Sequence, residues 1–472
     1  METILSLVNS MNNLLWNSLL LVLLCGTGIF FTIRLKFIQV TKLKEGFQLI
    51  FGNFSSNGSK KHERKEGEMT PFQALATAIA SQVGTGSLTG VATALIGGGP
   101  GAIFWMWVSA FFGMATIYSE ATLAQKYKTT IDGEVTGGPV YYIQQAFHGK
   151  AGKMLAASFA VLITLALGFM GNMVQSNSIG TAFSEVFGNR NIHVSPVVIG
   201  VLTAALSGFI FLGGTKRLAS VVEKFVPFMA FVYIIGSLGL IVSHISAFPE
   251  ALKMIFVSAF QPKAILGAGA GITVREAIRF GVARGLFANE AGMGSTPHAH
   301  ARAKAKNPHE QGLVAMVSVF IDTFIVLNLT VFAILTTGVL DSGKEGIALT
   351  QLAFMKSFGS LGDIFVAVCL FFFAFSTILG WHFFGKVNVE YLFGKKSGKI
   401  YSLLVLVFII IGSSLKLNFV WALSDLFNGL MVIPNVLALL ALSGVVAFIY
   451  KKYGSKQRIE EEKQTQESTA LE

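Results

Sequence analysis

The chain has 472 residues, of which 53% are hydrophobic and 13% are charged, whereas a soluble domain carries about 25% charged residues. This composition excludes a soluble fold, and the length leaves room for about ten to twelve membrane-spanning helices of about 20 residues each. The net charge of +11 does not indicate nucleic-acid binding, because the basic residues lie between apolar stretches and form no soluble patch.

Hydropathy along the chain predicts an all-α integral membrane protein with eleven transmembrane helices. The predicted spans lie at roughly 13–33, 71–97, 101–124, 154–176, 195–213, 225–245, 266–297, 312–337, 363–385, 400–415 and 419–450. The span at 266–297 is the least apolar of them.

The Lys and Arg residues are distributed unevenly about these spans. With the N-terminus outside, 27 of them lie on the cytoplasmic side and 8 on the outer side. Cytoplasmic loops hold the excess of basic residues, so we expect a multi-pass plasma-membrane protein with a cytoplasmic C-terminus. The predicted parts are an extra N-terminal helix, a cytoplasmic linker, two five-helix repeats and a cytoplasmic tail, at 1–34, 35–69, 70–245, 246–450 and 451–472.

The second span is interrupted in its middle by small and polar residues. Between Ser81 and Ser87 the chain reads SQVGTGS, with four polar side chains and two glycines. Irregular backbone at this depth is tolerated only where it is buried in protein or lines a cavity. Two interpretations are open: a packing face of small residues through Gly86 and Gly90, or an unwound helix with a ligand at the break.

The seventh span repeats this pattern and favours the unwound helix. Gly84-Thr85-Gly86-Ser87 corresponds to Gly292-Met293-Gly294-Ser295, and each tetrad lies in the first span of a five-helix block. An odd number of spans per block inverts one block relative to the other, as in many secondary transporters. N–H groups at a half-helix N-terminus suit a carboxylate, and free carbonyls suit a cation. The two breaks therefore predict a site for an amino acid with a co-transported ion beside it.

The ninth span carries two adjacent hydroxyls, Ser376 and Thr377, in an otherwise apolar stretch. With carbonyls of a broken helix they would form an uncharged oxygen cage for a monovalent cation. Alternatively, each hydroxyl bonds a carbonyl of its own helix, and the sequence leaves both interpretations open. Trp381 follows Thr377 by one turn and shares its face, where it either lines the pocket or fills the core.

Other polar and ionisable residues also fall inside the predicted spans. In the fourth span, interhelical hydrogen bonds are expected for most of three polar residues, Asn172, Gln175 and Asn177. The ionisable candidates are Glu120, Glu290, Asp322, Arg275, Arg279 and Arg284. Charge inside a membrane indicates function by default, but we expect Glu290 to cap its helix or pair near Arg284. Arg275 and Arg279 are expected in a surface-lying or water-lined stretch.

Catalytic motifs are missing from the sequence, which argues against an enzyme. The segment His62-Glu63-Arg64-Lys65-Glu66 lacks the second His of a zinc protease, and no Gly-rich loop ends in Gly-Lys-Ser/Thr. His298 and His300 are expected at a cytoplasmic gate or solvated end and not at a metal site. No cofactor is predicted beyond the co-transported ion. A passive channel is disfavoured, because channels usually repeat a selectivity element in several subunits.

Four longer motifs resemble the sodium:alanine (or glycine) symporter family of the amino acid-polyamine-organocation superfamily. They are GGPGAIFWMWVSAFFG (98–113), TGGPVYYI (136–143), GNMVQSNSI (171–179) and ARGLFANEAGMGSTPHAHA (283–301). The resemblance implies an inverted-repeat fold like that of the bacterial leucine transporter, preceded by one extra helix. It also implies sodium-driven uptake of alanine or glycine, with glutamine as the alternative because the family includes probable glutamine carriers.

The resemblance also implies positions for the ligands. The substrate carboxylate would meet the backbone of Gly84, Thr85 and Gly86. Its amine and side chain would be surrounded by Gln82, Phe287, Thr377 and Trp381. Sodium would be held by carbonyls of Ala80, Val83 and Phe373 and by the hydroxyls of Ser376 and Thr377. The expected partners are a small neutral amino acid, sodium and the lipid bilayer, with no nucleic acid.

Overall fold

The predicted spans form helices in the computed structural model, which describes residues 2–51, 68–262 and 272–454. In a bilayer, backbone polar groups need partners within the segment, which a helix provides. In the first half of the chain the helices are α1 (Glu2–Leu14), α2 (Leu20–Arg34), α3 (Ile38–Thr41), α4 (Leu43–Phe51), α5 (Pro71–Gln82), α6 (Val91–Gly98), α7 (Gly101–Lys126), α8 (Pro139–Ala146), α9 (Gly149–Ile163), α10 (Asn172–Gly188), α11 (Pro196–Phe211) and α12 (Gly214–Ser243).

The second half contains a similar series of helices. They are α13 (Phe248–Phe260), α14 (Val274–Asn289), α15 (Pro297–Arg302), α16 (Pro308–Phe320), α17 (Asn328–Thr337), α18 (Gly346–Phe358), α19 (Gly362–Phe393), α20 (Ser397–Ser414) and α21 (Leu417–Ala441), followed by a helical stretch at 443–454. Short 3-10 turns lie at Ile245–Ala247, Leu340–Ser342 and Gly359–Leu361.

Stretches of π-helix continue several of these helices, and such stretches are frequent at functional sites. Those found in the described residues are Leu15–Leu19, Gly86–Gly90, Thr164–Gly171 and Ile321–Leu327. Two short strands, β1 (Thr129–Ile131) and β2 (Glu134–Thr136), form an antiparallel hairpin in which Thr129 pairs with Thr136.

Eight helical segments of the described residues are long and apolar enough to cross a membrane, and a bent pair forms a ninth. The eight are Glu2–Arg34, Gly101–Lys126, Gly149–Gly188, Ser220–Ser243, Pro308–Thr337, Gly346–Phe393, Ser397–Ser414 and Leu417–Ala441. The two remaining predicted spans correspond to α11 and α14, of 16 residues each. A total of eleven spans therefore stays a prediction, as does the division into two repeats. Residues 52–67 of the predicted linker, 266–271 of the seventh span and 455–472 of the tail lie outside the described residues.

Both interrupted spans lie in the buried centre of the molecule. Burial is continuous over 74–92, 171–180, 281–303 and 373–385, which cover the two breaks and parts of α10 and α19. The helices α11, α12 and α20 instead expose large apolar side chains, among them Leu202, Phe209, Phe228 and Leu403. An apolar exterior around a core that holds the polar breaks is the arrangement a bilayer requires.

The first interrupted span begins at a capping box and breaks in its middle. Thr70 Oγ1 accepts the Gln73 N–H at 3.0 Å, and Gln73 Oε1 accepts the Thr70 N–H at 3.0 Å. The helix α5 ends at Gln82, because Val83 has φ −79° and ψ 79°, outside the helical region. The chain is helical again from Gly86, and the two halves are bent by 43°.

The second interrupted span has the same design. A capping box of Thr273 and Glu276 begins α14, with N···O distances of 2.8 and 3.2 Å. The helix ends where Glu290 adopts a left-handed φ of 58°. Gly292 and Gly294 then have φ values of 96° and 78°, which glycine adopts without steric cost. The repeated Gly-x-Gly-Ser tetrad is therefore unwound in this span.

Backbone hydrogen bonds join one end of the two interrupted spans. The Met69 N–H donates to the Arg302 carbonyl at 2.9 Å, and the Lys304 N–H donates to the Met69 carbonyl at 3.0 Å. The Gln125 side-chain amide donates to the Ala303 carbonyl at 2.7 Å. These bonds tie together the end of the molecule that the charge distribution predicts to face the cytoplasm.

Candidate substrate and sodium site

The hydroxyl pair of α19 meets the end of α5. Thr377 Oγ1 lies 2.8 Å from the Ala80 carbonyl oxygen and 3.0 Å from the Phe373 carbonyl oxygen. Ser376 Oγ lies 3.4 and 2.9 Å from the same two oxygens. Four of the five predicted sodium ligands therefore converge. The fifth residue, Val83, is buried just after α5, and neither hydroxyl bonds its carbonyl in the part of the chain that the structure describes.

Both interpretations of the hydroxyl pair, bonding within its own helix and contact with the broken helix, agree with this geometry. Each hydroxyl bonds a carbonyl of its own helix, as membrane helices often show, and each also reaches α5. Neutral oxygens from a broken helix suit a monovalent cation. Within the described ranges, no three His, Cys, Asp or Glu residues converge as a metal site. The oxygen cluster is therefore the candidate position for the co-transported ion.

The amide of Gln175 on α10 lies against the first break. The Thr85 N–H donates to Gln175 Oε1 at 3.1 Å. A β-carbon on Gly84 would lie 3.1 Å from the same oxygen and would collide with the Thr377 hydroxyl. Gln175 Nε2 is buried and has no hydrogen-bond partner in the described residues. Gln175 thus accepts one of the backbone N–H groups that the family resemblance assigns to the substrate carboxylate.

Sequence reasoning placed Gln175 between helices but missed its contact with the break. One feature of the sequence could have indicated this contact: Gln175 lies in the polar motif GNMVQSNSI within an otherwise apolar span. Asn177 confirms the interhelical expectation, because its amide donates to the Gly412 carbonyl of α20 at 2.9 Å. Asn172 is the exception among the three, since its amide donates to the Gly168 carbonyl one turn earlier.

Gly86 packs directly on α14. A β-carbon at Gly86 would lie 2.8 Å from Ala288 Cα and 3.1 Å from its Cβ. Gly90 has ordinary room, with its nearest neighbours 3.7 Å away. The interpretation as a small-residue packing face therefore holds at Gly86 and not at Gly90. It coexists with the unwound segment, because the helix ends before Gly86.

Three more predicted residues close the remaining sides of this region. Gln82 Nε2 donates to the Asn289 carbonyl at 2.8 Å, which joins the two breaks. The rings of Phe287 and Trp381 meet edge to face, with centroids 5.4 Å apart and an interplanar angle of 85°. Trp421 packs on Phe287 with centroids 4.5 Å apart. The structure thus brings the predicted substrate residues of α5, α14 and α19 into one buried cluster.

The expected pairing of Arg284 with Glu290 is wrong. Arg284 forms two hydrogen bonds of 2.7 Å with the carboxylate of Asp425 on α21 and stacks over Trp421 at 4.2 Å. This bidentate pair uses the planar fork of the guanidinium. Arg279 is half-buried over the Phe280 ring at 5.9 Å. The pair of Arg284 and Asp425 lies beside the aromatic side of the candidate site.

Glu290 caps the C-terminus of α14 with its backbone, as expected. Its side chain bonds residues outside that helix. Its Oε1 accepts the Trp381 indole N–H at 2.6 Å. Its Oε2 accepts the Ser295 hydroxyl and lies 3.4 Å from the Ser81 hydroxyl. Glu290 therefore touches both interrupted spans and the tryptophan of α19. Sequence spacing does not predict this contact, because Trp381 is 91 residues away.

The second break does not offer its N–H groups to a ligand. The Gly292 and Gly294 N–H groups donate to the carboxylate of Glu120 on α7 at 3.0 and 2.8 Å. The Asn435 amide donates to the same carboxylate at 2.6 Å. A β-carbon on Gly294 would lie 2.9 Å from Phe159. Both breaks were expected to bind a ligand, and at the second one a carboxylate of the chain itself accepts two of the N–H groups.

Asp322 is a third buried carboxylate, located in a π-helical stretch. Its Oδ1 accepts the Ser87 hydroxyl at 2.6 Å, and its Oδ2 lies 3.4 Å from the Thr323 hydroxyl. Among the described residues, no Lys, Arg or His lies within ion-pair distance of Asp322, Glu120 or Glu290. Ionisable side chains without a counter-charge inside a membrane protein mark candidate ion or proton pathways.

The two histidines after the second break are buried, so a solvated end is excluded there. His298 Nδ1 lies 2.7 Å from the Ser295 carbonyl oxygen, and its Nε2 lies 2.8 Å from the Asn388 amide. His300 Nδ1 lies 2.7 Å from the Gln311 amide. Both rings are buried in α15, at the end of the interrupted spans where Met69 bonds Arg302 and Lys304.

The chain is similar over nearly its whole length to known sodium-coupled transporters. The chain is 41% identical over 462 residues to the sodium/alanine symporter AgcS of Methanococcus maripaludis, covering 96% of this chain and 98% of AgcS. It is 39% identical over 456 residues to the probable sodium/glutamine symporter GlnT of Bacillus subtilis, covering 96% and 91%.

Solved structures show the fold independently. The crystal structure of MhsT in complex with L-phenylalanine matches with a TM-score of 0.57 at 13% identity, covering 82% of this chain and 98% of MhsT. This chain is accordingly a multi-pass membrane transporter with a leucine-transporter-like fold, and it is not an enzyme. The profile of the sodium:alanine symporter family matches residues 1–468, and the chain belongs to that family.

Proposed function

We propose that this protein couples inward movement of sodium to the uptake of alanine or glycine. The observation that carries the proposal is the position of Thr377 at the first break. Its hydroxyl contacts the Ala80 carbonyl at 2.8 Å and lies directly beside Gly84. One side chain thus belongs to both the predicted sodium ligands and the predicted substrate pocket, so occupancy of one site changes the energy of the other.

Sodium binding would exchange water oxygens for oxygens of the chain. The carbonyls of Ala80 and Phe373 and the hydroxyls of Ser376 and Thr377 would turn toward the ion, with Val83 as a further donor of a carbonyl. These groups come from α5 and α19, so the ion would hold the first half of the broken span against α19. Both hydroxyls donate to the Ala80 carbonyl in the structure, so they would have to turn their hydrogens away from it.

The amino acid would bind with its carboxylate at the first break. Gln175 Oε1 accepts the Thr85 N–H. An arriving carboxylate would take over that N–H, while the unpartnered Nε2 of Gln175 would donate to it. Because Glu120 holds the N–H groups of the second break, the first break is left as the anion position.

A small substrate is supported by the aromatic contacts. Phe287 and Trp381 would border the space beyond the amino group. A hydrophobic pocket discriminates by only about 1 to 3 kcal/mol per methylene, and a rigid indole adds steric exclusion. Glutamine is the alternative substrate, because the chain is also similar to the probable glutamine symporter GlnT.

The decisive experiment is uptake of radiolabelled alanine into proteoliposomes, with and without an inward sodium gradient. Accumulation that requires the gradient, and competition by glycine but not by leucine or glutamine, is the expected result. If glutamine competes better than alanine, the protein would instead be a sodium-coupled glutamine symporter. Equilibration without accumulation would indicate a channel and overturn it. In cells, we propose the plasma membrane as the location, with the N-terminus outside.

A further inference from the structure

The Trp381 indole is held by three contacts, and one of them is polar. Phe287 meets it edge to face. The backbone of Gly171 in the π-helical stretch before α10 is so close that any β-carbon there would collide with the ring. The indole N–H, its one hydrogen-bond donor, ends on Glu290 Oε1 at 2.6 Å. Packing confines the ring, and the hydrogen bond selects its orientation.

Among the described residues, no Lys, Arg or His lies within ion-pair distance of the Glu290 carboxylate. Its hydrogen-bond partners are neutral donors, two serine hydroxyls and the indole. Both Glu290 and Trp381 are fully buried. Any rotation of the indole would leave a buried N–H without its acceptor, which is unfavourable in a dry interior. The carboxylate therefore resists movement of the ring.

We propose that Glu290 is a positioning residue that fixes Trp381 as the far wall of the pocket and thereby sets the upper size limit of the substrate. The inference rests on the proposed function, because it requires that Trp381 border the amino-acid site. It adds a residue that does not itself need to touch the substrate. Size selection then depends on a hydrogen bond between the second break and α19, and not on the volume of the indole alone.

The hydrogen bond can be removed from either partner. Trp381→Phe removes the N–H and keeps an aromatic ring, and Glu290→Ala removes the acceptor. Glu290→Gln keeps an acceptor oxygen for the indole, and the serine hydroxyls can accept from its new amide. Trp105→Phe is the matched control, because its indole N–H also ends on an oxygen, the Ala259 carbonyl at 3.1 Å, at a different place in the fold.

The measurement is inhibition of sodium-driven alanine uptake by leucine in proteoliposomes, expressed as the ratio of the leucine and alanine inhibition constants. We expect Trp381→Phe and Glu290→Ala each to lower this ratio at least about tenfold. The double variant should show the same ratio as Trp381→Phe alone, because that variant already lacks the indole N–H on which Glu290 acts. Glu290→Gln and Trp105→Phe should keep the wild-type ratio.

Three results would overturn the positioning role. The first is an unchanged ratio in Trp381→Phe, which decides the matter even if Glu290→Ala fails to fold. The second is additivity in the double variant. The third is a loss of alanine affinity in Glu290→Gln with none in Trp381→Phe, which would indicate that the carboxylate acts on the substrate's charge. Absence of sodium-driven alanine uptake by the unmodified protein would instead count against the proposed function.

Discussion

At the scale of single residues, the site consists of side chains whose partners lie on other helices. Thr377 Oγ1 lies near two carbonyl oxygens, one from α5 and one from its own helix. Gln175 reaches from α10 to the break in the first interrupted span. Each of these residues supports a prediction that a binding or uptake assay can check.

Loss of a hydroxyl in the oxygen cluster should weaken sodium binding. Hydrogen bonds to charged groups contribute about 1.5 to 3 kcal/mol, so one missing ligand of similar strength corresponds to a tenfold or larger effect. We expect Thr377→Ala and Ser376→Ala to raise the sodium concentration for half-maximal uptake about tenfold. Thr377→Ser, which keeps the hydroxyl, should stay near the wild-type value. Unchanged sodium dependence in both alanine variants would contradict the proposed ion site.

Replacement of Gln175 by a carboxylate should block the substrate and spare the ion. Gln175→Glu has nearly the same shape, but it places a negative charge at the break where the substrate carboxylate is expected. Like charges in a buried site repel strongly. Alanine affinity, measured by isothermal titration calorimetry in sodium, should fall at least about a hundredfold, whereas sodium binding without alanine should persist. Normal alanine affinity in this variant would remove Gln175 from the carboxylate site.

At the scale of elements, the two interrupted spans cross at a point with no spare room. Gly86 of the first span lies against Ala288 of the second. The second break is tied to α7 through Glu120. Small shifts of one span are therefore transmitted to the other, because packed interfaces deform little.

A single methyl group at this crossing should stop transport. In Gly86→Ala the new carbon would lie 2.8 Å from Ala288 Cα, and overpacking of this kind costs about 1 to 3 kcal/mol. We expect Gly86→Ala to reach the membrane but to lose alanine uptake. Gly90→Ala is the matched control, since its neighbours are 3.7 Å away, and it should transport normally. Equal uptake by the two variants would mean that the crossing is not required.

The short helix α4 supports a prediction about pH. Burial raises the pKa of Glu45, but His309 at 3.6 Å and Lys42 at 2.5 Å more than offset this and leave the pKa below its usual value. A lowered folded-state pKa stabilises the fold above the unfolded-state pKa, and this contribution is lost as the pH falls through the folded-state pKa.

We therefore expect Glu45→Gln to lower the melting temperature at pH 7. The difference from wild type should shrink once the pH falls below about 4.3, the unperturbed value for glutamate. The measurement is thermal unfolding in detergent over a pH series. Glu250→Gln, which removes an exposed glutamate, is the control and should have little effect. A difference that does not change with pH would contradict the electrostatic explanation.

At the scale of the whole molecule, the excess of basic residues on one side predicts the orientation. A protease-sensitive tag at the C-terminus should be protected in intact cells, and a tag before Ser10 should be accessible from outside. The reverse labelling pattern would contradict the orientation. Accessibility of both tags from the same side would contradict an odd number of spans.

Most of the fold follows from local properties of the sequence. The apolar segments became helices because a bilayer leaves the backbone no other partners. The break at Gly84 was predictable because glycines and polar side chains interrupt an apolar span there, and the second break because it repeats the same tetrad. The hydroxyl pair at Ser376 and Thr377 was visible as a polar interruption of an apolar span. In the structure both hydroxyls contact the Ala80 carbonyl of α5.

The sequence by itself determined where helices form, where two of them break and which residue types surround the breaks, because hydropathy and glycine content act over short stretches of chain. Only the tertiary structure decided which carboxylate meets which donor. Glu120 holds Gly292 across 172 residues of sequence, Arg284 binds Asp425 across 141, and Glu290 binds Trp381 across 91. A buried polar group must find a partner, but its identity depends on how distant helices pack, and helix periodicity does not encode that packing.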